Sequence, residues 1–345
     1  MRFICDSFGS DCFPVIRVQT MENWRKQLKF DPLPPLFSTG NEALCYFTRR
    51  DLLDEKVQSV ENLWHLREVE RILDKQLDDG AWKYPGGGKE HSRATEDYNQ
   101  LETFRTLGQL VEKYGLNKKH PAIKRAADHL FSRQTKEGDF RGIYGNQYTP
   151  NYSAAIMELL IKAGYDRDPR IKRGFRWLVS IRQHDGGWAI PISTVRAKWD
   201  VQTLGGATIQ PDPSKPFSHM VTGVVLRAFA AHEEYSQLKE AIAAGKLLAS
   251  RFFKKDTYPG RQTADFWTKF SYPFWFTDLL SALDSLSLIG FASDDPQIEK
   301  ALEWFIAKQQ ENGVWQLSLL RGGTDRDLGL WVSLAICRVF KRLSG

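Results

Sequence analysis

Several acidic residues have the spacing of motifs that bind metal or diphosphate. Asp294, Asp295 and Glu299 match the pattern DDxxxE, in which carboxylates chelate the Mg²⁺ of a bound pyrophosphate. Carboxylates in short turns beside a proline, however, commonly cap the helix that follows. We therefore favour capping for this motif and for two similar Asp-x-Asp pairs, less strongly for the second pair, which lies beside a long loop. These pairs are Asp166 with Asp168 and Asp325 with Asp327.

A second set of residues combines acids, one histidine and aromatic rings at the starts of predicted helices. Flat apolar walls with a few orienting polar groups are what a small-molecule pocket needs. The candidate catalytic residues are Asp278, Asp97 and His219, and the candidate substrate-binding residues are Tyr98, Tyr152, Trp275, Trp331 and Arg321. We predict that Asp278 lines one cavity with Trp275, Tyr98, Tyr152, His219 and Trp331.

Asp278 follows the run FWF and precedes LLSAL, which makes it an acid at the entrance of an apolar helix. In a desolvated cavity the pKa of its carboxyl group would rise, which suits a general acid. The alternative is an ordinary N-cap of that helix. His219 is a candidate base or phosphate ligand, and its alternative is a core histidine bonded to a backbone carbonyl.

The sequence predicts neither a metal site nor a cofactor. The four cysteines, Cys5, Cys12, Cys45 and Cys337, are too scattered for a disulfide framework. None forms a CxxC pair or lies near a histidine at metal-ligand spacing, so we predict no structural zinc. This cysteine usage is typical of a reduced, cytoplasmic compartment.

An internal repeat organises the chain and places these residues. Each copy has an apolar helix face, a glutamine, a polar turn with glycine and then an aromatic residue. The copies are RILDKQLDDGAW (71–82), HLFSRQTKEGDF (129–140), WLVSIRQHDGGW (177–188), WFIAKQQENGVW (304–315) and a degenerate LLASRFFKKDTYPG (247–260), with Tyr258 near the aromatic position. We predict that Trp82, Phe140, Trp188 and Trp315 occupy equivalent positions, each just after an outer helix.

The repeat unit is a helical hairpin, with a charged outer helix and a more apolar inner helix. Outer helices are predicted at 60–77, 120–134, 168–183, 236–255 and 294–310, and inner helices at 41–55, 95–114, 150–164, 217–232, 272–290 and 326–343. Six inner helices that close on each other would bury their apolar faces, so the fold class is all-α, an α/α toroid of the α6-α6 type. The alternative is an open helical solenoid. β structure should be minimal.

The connections that lead into the inner helices are long and aromatic, whereas the return connections are short, which predicts a binding site at one rim. The N-terminal ends of the inner helices converge there and favour an anionic group. The long connections are 83–94, 141–150, 189–216, 259–271 and 316–325.

Composition indicates one large domain at 21–345. Residues 1–20 are predicted to be an extension before a second start at Met21, or disordered; the alternative is an arm packed on the domain.

No stretch approaches the roughly 20 apolar residues of a membrane span, so we expect a soluble protein. The net charge of +6 is a weak hint of an anionic partner, and its even spread argues against nucleic acid. The oligomeric state is left open.

The endings RQHDGGW and KQQENGVW resemble the QW-type repeats of squalene-hopene cyclases, class II terpene cyclases and protein prenyltransferase β-subunits. The resemblance covers about residues 40–343 and implies the toroid fold. It extends to single-domain proteins known only as prenyltransferase or squalene-oxidase repeat proteins, to which FWFTDLLSALDSL is most similar.

The chain departs from these families at their reactive groups. The resemblance implies an acid in a DxDD motif for class II cyclases, and the sequence contains no DxDD. It implies zinc held by Asp, Cys and His for prenyltransferases, and Cys337 lacks a nearby Asp-x-Cys spacing. Three hypotheses remain: an enzyme with an aromatic cavity for an apolar or isoprenoid-like substrate, a carbohydrate-active hydrolase or lyase, and a noncatalytic toroid that binds a ligand or partner.

Overall fold

The computed structural model describes residues 23–86, 97–320 and 325–344, and within these the fold is a ring of helical hairpins. The inner helices are α1 (Glu42–Leu52), α3 (Tyr98–Tyr114), α5 (Pro150–Leu160), α7 (His219–Ala230), α9 (Leu279–Ile289) and α11 (Leu328–Leu343). The outer helices are α2 (Arg67–Leu73), α4 (Pro121–Ser132), α6 (Pro169–Ser180), α8 (Lys239–Ala249) and α10 (Pro296–Lys308). The predicted all-α toroid is confirmed.

The inner helices contact one another in cyclic order, and α11 packs against α1 to close the ring. Their apolar runs explain this arrangement, because α5, α7 and α9 are buried on nearly every side. The outer helices bury one stripe and expose the other. α6, for example, buries Ile171, Phe175 and Leu178. The alternative of an open solenoid is therefore wrong.

Short elements fill the connections. They are the helices Leu33–Phe37, Pro191–Thr194, Val201–Gly205 and Glu233–Ser236, the 3₁₀ segments Val60–His65 and Ala264–Thr268, and a π-helical turn at Ile161–Tyr165. Two strands of two residues each, β1 (Lys269–Phe270) and β2 (Ser318–Leu319), pair in parallel. Among the described residues, no helix is long and apolar enough to cross a membrane.

The repeated tryptophans occupy equivalent positions. The indole N–H groups of Trp82, Trp188 and Trp315 donate to the backbone carbonyls of Ile72, Leu178 and Phe305, each ten residues earlier, at 2.7 to 2.8 Å. Phe140 takes the same place in its repeat and forms the same backbone bridge to its glutamine. Each ring thus covers the carboxyl end of the outer helix that precedes it.

The fifth repeat differs from the prediction at its aromatic residue. Tyr258 does not cover α8; its hydroxyl donates to the Pro216 carbonyl at 2.6 Å. Trp267 covers that helix end instead, and its indole N–H donates to the Lys254 carbonyl at 3.0 Å. An insertion before Trp267 hides this repeat in the sequence.

Glycines in the repeat turns allow neighbouring units to approach closely. Gly80 and Gly313 both have φ near +85°, a conformation that costs little only for glycine. A Cβ at Gly80 would lie 2.3 Å from the Arg125 carbonyl oxygen, and one at Gly313 would lie 2.0 Å from that of Asp31. The turns are therefore packed directly on the backbone of the next unit.

Gln309 joins the last repeat to the start of the described chain. Its side-chain oxygen accepts from the backbone N–H groups of Lys29 and Phe30 at 2.9 and 3.1 Å. Its amide donates to the carbonyls of Phe30 and Gly313 at 2.8 and 3.0 Å. Gln76 and Gln134 make the corresponding bonds between successive repeats. A local repeat glutamine therefore closes the ring.

We expect Gln309→Ala to lower the free energy of unfolding by about 2–3 kcal/mol, because it leaves several backbone groups in a closed interface without partners. The exposed neighbour provides the control: Gln310→Ala should change stability by no more than about 0.5 kcal/mol. Urea unfolding of both variants measures this difference. Equal effects would show that the closure does not depend on the Gln309 amide.

Three predicted helices have clearly different bounds in the structure, and the one predicted at 236–255 is the shorter α8. The helix predicted at 60–77 is a 3₁₀ segment followed by the short α2. The helix predicted at 272–290 begins only at Leu279, because residues 271–276 form a loop that enters the ring. In this loop Tyr272 stacks on Trp331 with ring centroids 5.7 Å apart, and its hydroxyl accepts from Arg338 at 2.9 Å. The loop partly fills the centre of the ring.

The favoured capping role of the Asp-containing turns is confirmed at two helix starts. Asp168 accepts from the Arg170 N–H at 2.8 Å, and Asp295 accepts from the Gln297 N–H at 2.9 Å. Asp325 likewise accepts from the Asp327 N–H, at 3.0 Å, just before α11, and it also pairs with Lys113.

Candidate functional site

Two adjoining cavities lie within the ring of inner helices. One is at the end where these helices begin, and the other is deeper inside the ring. The larger, here named the outer chamber, has a volume of about 430 Å³. The smaller, the inner chamber, has a volume of about 180 Å³. Phe104 and Trp275, whose ring centroids are 5.4 Å apart, line both cavities. These two rings therefore form the wall between the chambers.

The outer chamber is mainly aromatic. Asn151 and Tyr152 come from the first turn of α5, and Met220 and Val221 from the first turn of α7. Long loops supply most of the other walls, as the loop asymmetry predicts. The aromatic rings are Phe104, Tyr144, Tyr152, Trp199, Tyr258, Trp275 and Phe276, and the polar side chains are Asn151, Ser193, Ser218, Asp256 and Arg261.

Ring contacts fix the walls of the outer chamber. Tyr144 meets Tyr152 edge to face at 5.3 Å and Trp199 at 5.0 Å between centroids. Burial raises the pKa of Tyr144 well above its ordinary value, so its phenol stays neutral. The guanidinium group of Arg261 lies over the face of Phe276. The chamber thus presents several π faces and one cation.

Asp256 is the carboxyl group that faces the outer chamber. One of its oxygens accepts from the Ser218 hydroxyl at 2.5 Å, and the other accepts from the His219 backbone N–H at 2.9 Å. The side chain is buried, and Nδ1 of His219 lies 3.1 Å from the same carboxylate. Asp256 is therefore held rigidly at the start of α7.

His219 lies behind Asp256 and stacks on Trp267 with ring centroids 4.7 Å apart. Burial lowers the pKa of His219 to about 4, against the opposing attraction of Asp256. The imidazole is consequently neutral near pH 7.

The inner chamber is lined by charged side chains, and Glu158 is at its centre. One oxygen of Glu158 accepts from Nε of Arg227 at 2.8 Å, and the other accepts from Lys162 at 2.8 Å. Burial alone would raise the pKa of Glu158, but Arg227 and Lys162 hold it below its ordinary value. The polar side chains of this chamber are Arg105, Gln109, Glu112, Lys113, Glu158, Arg227, Ser271 and Asp325.

A third cavity of about 810 Å³ opens at the opposite, carboxyl-terminal end of the inner helices. Its charged groups are paired with each other: Arg338 lies 2.6 Å from Asp51, and Arg342 pairs with Asp284. We do not take this cavity as the candidate site, since it offers fewer rings.

The structure separates the predicted site residues into two groups. Tyr152 and Trp275 line the outer chamber, as the sequence analysis expects. Asp278, His219, Tyr98 and Trp331 line neither chamber, so the prediction that all six residues share one cavity is wrong. Arg321 lies outside the described residues.

Both predicted acids cap helices. Asp278 accepts from the Ser281 N–H at 2.8 Å, and the Ser281 hydroxyl accepts from the Asp278 N–H at 3.0 Å, which forms a capping box. Asp97 accepts from the Gln100 N–H at 2.8 Å and lies 2.8 Å from Arg133. Both carboxylates therefore cap helix starts, which is the alternative considered for Asp278 and a new observation for Asp97.

The two remaining aromatic candidates pack elsewhere. Tyr98 packs against Tyr84 at 5.1 Å, and Trp331 packs between Tyr272 and Phe47 inside the ring. The loop at 271–276 occupies the space in the ring that Trp331 would otherwise line.

Sequence reasoning missed Asp256, Glu158, Arg227 and Arg105 as site residues. A usable signal was present for two of them, since Glu158 and Arg227 interrupt the apolar runs AAIMELLI and VTGVVLRAFAA. Charges inside buried helices require partners, and here they partner each other. Asp256 carries no such signal. In the described part of the chain, no cluster of three His, Cys, Asp or Glu side chains is arranged to hold a metal.

Comparisons with known proteins agree with the repeats. Residues 93–208 match the family model of the squalene-hopene cyclase C-terminal domain. A squalene-hopene cyclase of Bradyrhizobium diazoefficiens is 25% identical over 249 residues, which are 62% of this chain and 34% of the relative. One of Zymomonas mobilis is 22% identical, over 48% of this chain and 26% of the relative. The chain thus spans about a third or less of the length of these relatives.

Among solved structures, a polysaccharide lyase aligns with a TM-score of 0.46 at 14% identity, over 94% of this chain and 96% of its own.

Proposed function

We propose that this chain, a member of the terpene cyclase and prenyltransferase-like toroid family, is an enzyme that binds an apolar, isoprenoid-like substrate in the outer chamber. The observation that carries the proposal is the aromatic lining, with seven rings around a cavity of about 430 Å³. Rings of this kind solvate an apolar chain, and their π faces stabilise a developing cation.

Within this proposal, Tyr152 and Trp275 bind the substrate, and Asp256 exchanges a proton with it. Asp256 faces the rings and is oriented by Ser218 and by the backbone of His219. His219, predicted as a catalytic residue, becomes a positioning residue behind Asp256. Asp278 and Asp97 are not included, because their carboxylates cap helices and line neither chamber.

A carbohydrate-active hydrolase or lyase is the second candidate. The carboxylates and cations gathered in the inner chamber favour it, since such groups do acid-base work on charged sugars. Native mass spectrometry of the purified protein separates the candidates. A co-purified hydrocarbon chain supports the first proposal and a sugar supports the second, whereas a bound protein partner indicates a noncatalytic role.

We expect Trp275→Ala to weaken binding of an isoprenoid probe such as methyl farnesoate about thirtyfold, equivalent to about 2 kcal/mol. The reason is that Trp275 contributes a wall to both chambers and packs against Phe104. Titration followed by calorimetry measures the affinity.

Trp304→Ala is the matched control, because Trp304 is a partly buried ring on the outer helix α10 that lines neither chamber. It should change the affinity less than twofold. Asp256→Asn should retain binding within about threefold and lose turnover. If Trp275→Ala and Trp304→Ala bind the probe alike, the outer chamber is not the binding site.

A further inference from the structure

Two neighbouring outer helices form a strongly basic surface, here named the basic face. The solvent-facing positions of α4 and α6 carry one acid, Asp128, against five cations, which are Lys124, Arg125, Lys172, Arg173 and Arg176. The other outer helices are close to balanced, since α2 and α10 each have two cations and two acids, and α8 has two cations and one acid. The positive charge is therefore concentrated on one side of the ring, in contrast to the even spread expected from the sequence.

The repeat turns hold the two helices of the basic face side by side. Gln134, just after α4, donates to the Arg170 carbonyl at 2.8 Å and accepts from Nη2 of Arg173 at 2.9 Å. Gly138 packs on the same segment, because a Cβ there would lie 2.5 Å from the Arg173 carbonyl oxygen. The contacts that build the ring thus fix the cations of α4 and α6 in one surface.

The cations of the basic face lack acidic partners. Lys124, Lys172 and Arg176 are exposed, and none of them forms an ion pair with a carboxylate in the described part of the chain. The two other arginines of the face donate to glutamine side chains instead. Like charges gathered without counter-ions repel one another and destabilise the compact state, so an anionic partner would relieve this repulsion.

The uncharged part of the basic face argues against two kinds of partner. A stable protein interface needs large aromatic or apolar anchors, and single-stranded nucleic acid needs exposed rings on which bases stack. None of the exposed large hydrophobic side chains in the described chain belongs to α4 or α6. The aromatic residues of these helices, Phe131, Phe175 and Trp177, are buried. The face therefore offers diffuse positive charge on long side chains, which suits the anionic head groups of a bilayer.

We propose that the basic face adsorbs the protein on an anionic bilayer, with the cations of α4 and α6 lying among the lipid phosphates. Each lysine or arginine near an anionic leaflet adds to the attraction, which falls off within a Debye length of about 10 Å at about 0.1 M salt. An apolar substrate dissolves in bilayers, so the proposed function favours a bilayer over duplex nucleic acid. To that extent the inference rests on the proposed function.

Sedimentation of the full chain with vesicles tests the inference. The wild type should bind mixed vesicles of phosphatidylcholine and phosphatidylglycerol at least tenfold more tightly than vesicles of phosphatidylcholine alone. Raising the salt from about 0.1 M to about 0.5 M should release most of the bound protein, because the attraction is then screened. Similar binding to both kinds of vesicle overturns the inference, as does the absence of binding to either.

A triple variant assigns the binding to the basic face. Lys124→Gln, Lys172→Gln and Arg176→Gln together should weaken binding to the mixed vesicles at least tenfold. Because the three side chains are exposed and make no ion pair within the described residues, the variant should unfold at the same temperature as the wild type.

A second triple variant is the matched control, since it removes the same charge from α8 and α10. Lys246→Gln, Lys300→Gln and Lys308→Gln replace three exposed lysines outside the basic face. They should weaken binding to the mixed vesicles less than threefold. Equal losses in the two triple variants would mean that overall charge, and not the basic face, attracts the protein to the bilayer.

A short DNA duplex and methyl farnesoate separate the remaining outcomes. If the duplex binds through the basic face and the vesicles do not, the class of partner is wrong. If vesicles bind at the basic face while methyl farnesoate does not bind at all, the docking surface stands and the proposed function is wrong. If methyl farnesoate binds and vesicles do not, the proposed function stands and this inference is wrong.

Discussion

Glu158→Gln should lower the free energy of unfolding by about 3–5 kcal/mol, because it removes one partner of a buried ion pair. Glu158 is 3% exposed and bonds Arg227 and Lys162 at 2.8 Å each. Glutamine keeps the shape of the side chain but leaves the Arg227 charge buried without compensation. Urea unfolding at pH 7 measures the loss.

A double variant separates the charge effect from packing. Glu158→Gln combined with Arg227→Met removes both charges and should recover more than half of the loss, since two neutral groups need no compensation. Glu102→Gln is the partly exposed control, with an expected change below about 0.5 kcal/mol because the Glu102 pair with Arg105 is long, at 3.4 Å. If the double variant is less stable than Glu158→Gln, the pair is not the source of the effect.

The same pair predicts a pH dependence. The pKa of Glu158 is held below its ordinary value in the folded protein. The stability that its ionised carboxylate contributes is therefore fully present above about pH 4.3, the ordinary pKa of a glutamate in the unfolded chain. It is lost as the pH falls through the lower folded-state pKa.

The sequence predicted the ring because its signature is local. The glutamine, glycine and tryptophan of each repeat lie within about ten residues of one another in the sequence, and the tryptophan bonds a carbonyl ten residues earlier, as from Trp188 to Leu178. A pattern this short can be recognised in a single sequence, and its copies can be counted. The fifth repeat was misassigned since a longer loop separates Trp267 from its helix, and no count of spacing reveals which ring returns to cover it.

The site was predicted less well because its contacts join distant segments. Glu158 and Arg227 are 69 residues apart, and only the packing of α5 on α7 brings them together. The loop at 271–276 is apolar enough to look like helix, and its place inside the ring depends on Trp331 and Arg338. Tyr152 and Trp275 lie in the wall of the outer chamber, where each packs against Phe104, and their role as substrate-binding residues stays a prediction.

Asp278 combines the two properties that the sequence analysis treats as alternatives, a helix cap and a buried acid with a raised pKa. It caps α9 through a box with Ser281, yet it is 2% exposed, and burial raises the pKa of its carboxyl group to about 7 against the hydrogen bonds from Ser281. The raised pKa that suggested a general acid is present. The group does not face a chamber, so we interpret the shift as a property of a buried cap.

Asp278→Asn should therefore change the pH dependence of stability rather than ligand binding. Since the folded-state pKa is about 7 and the unfolded value about 3.9, the folded wild type binds the extra proton between these values, and its stability falls as the pH rises from about 4 to 7. Asparagine caps almost as well and has no charge to bury. The two proteins should be equally stable within about 1 kcal/mol at pH 4, and the variant more stable by up to about 4 kcal/mol at pH 8, since one pKa unit is about 1.36 kcal/mol.

Asp168→Asn is the matched control, and its effect should have the opposite sign. Asp168 caps α6 and bonds Arg170, which holds the pKa of its carboxyl group below the ordinary value. Its stabilisation is present above the unfolded pKa and is lost as the pH falls, so that variant should be weaker at pH 8 and similar to wild type at low pH. Thermal unfolding between pH 2 and 8 compares the three proteins, because the effect of Asp168 is lost only below about pH 4. A different result would be that Asp278→Asn is less stable than wild type by the same amount at every pH. In that case the ionised carboxylate itself stabilises the helix start through its hydrogen bonds, and the interpretation of a buried cap with a raised pKa is wrong.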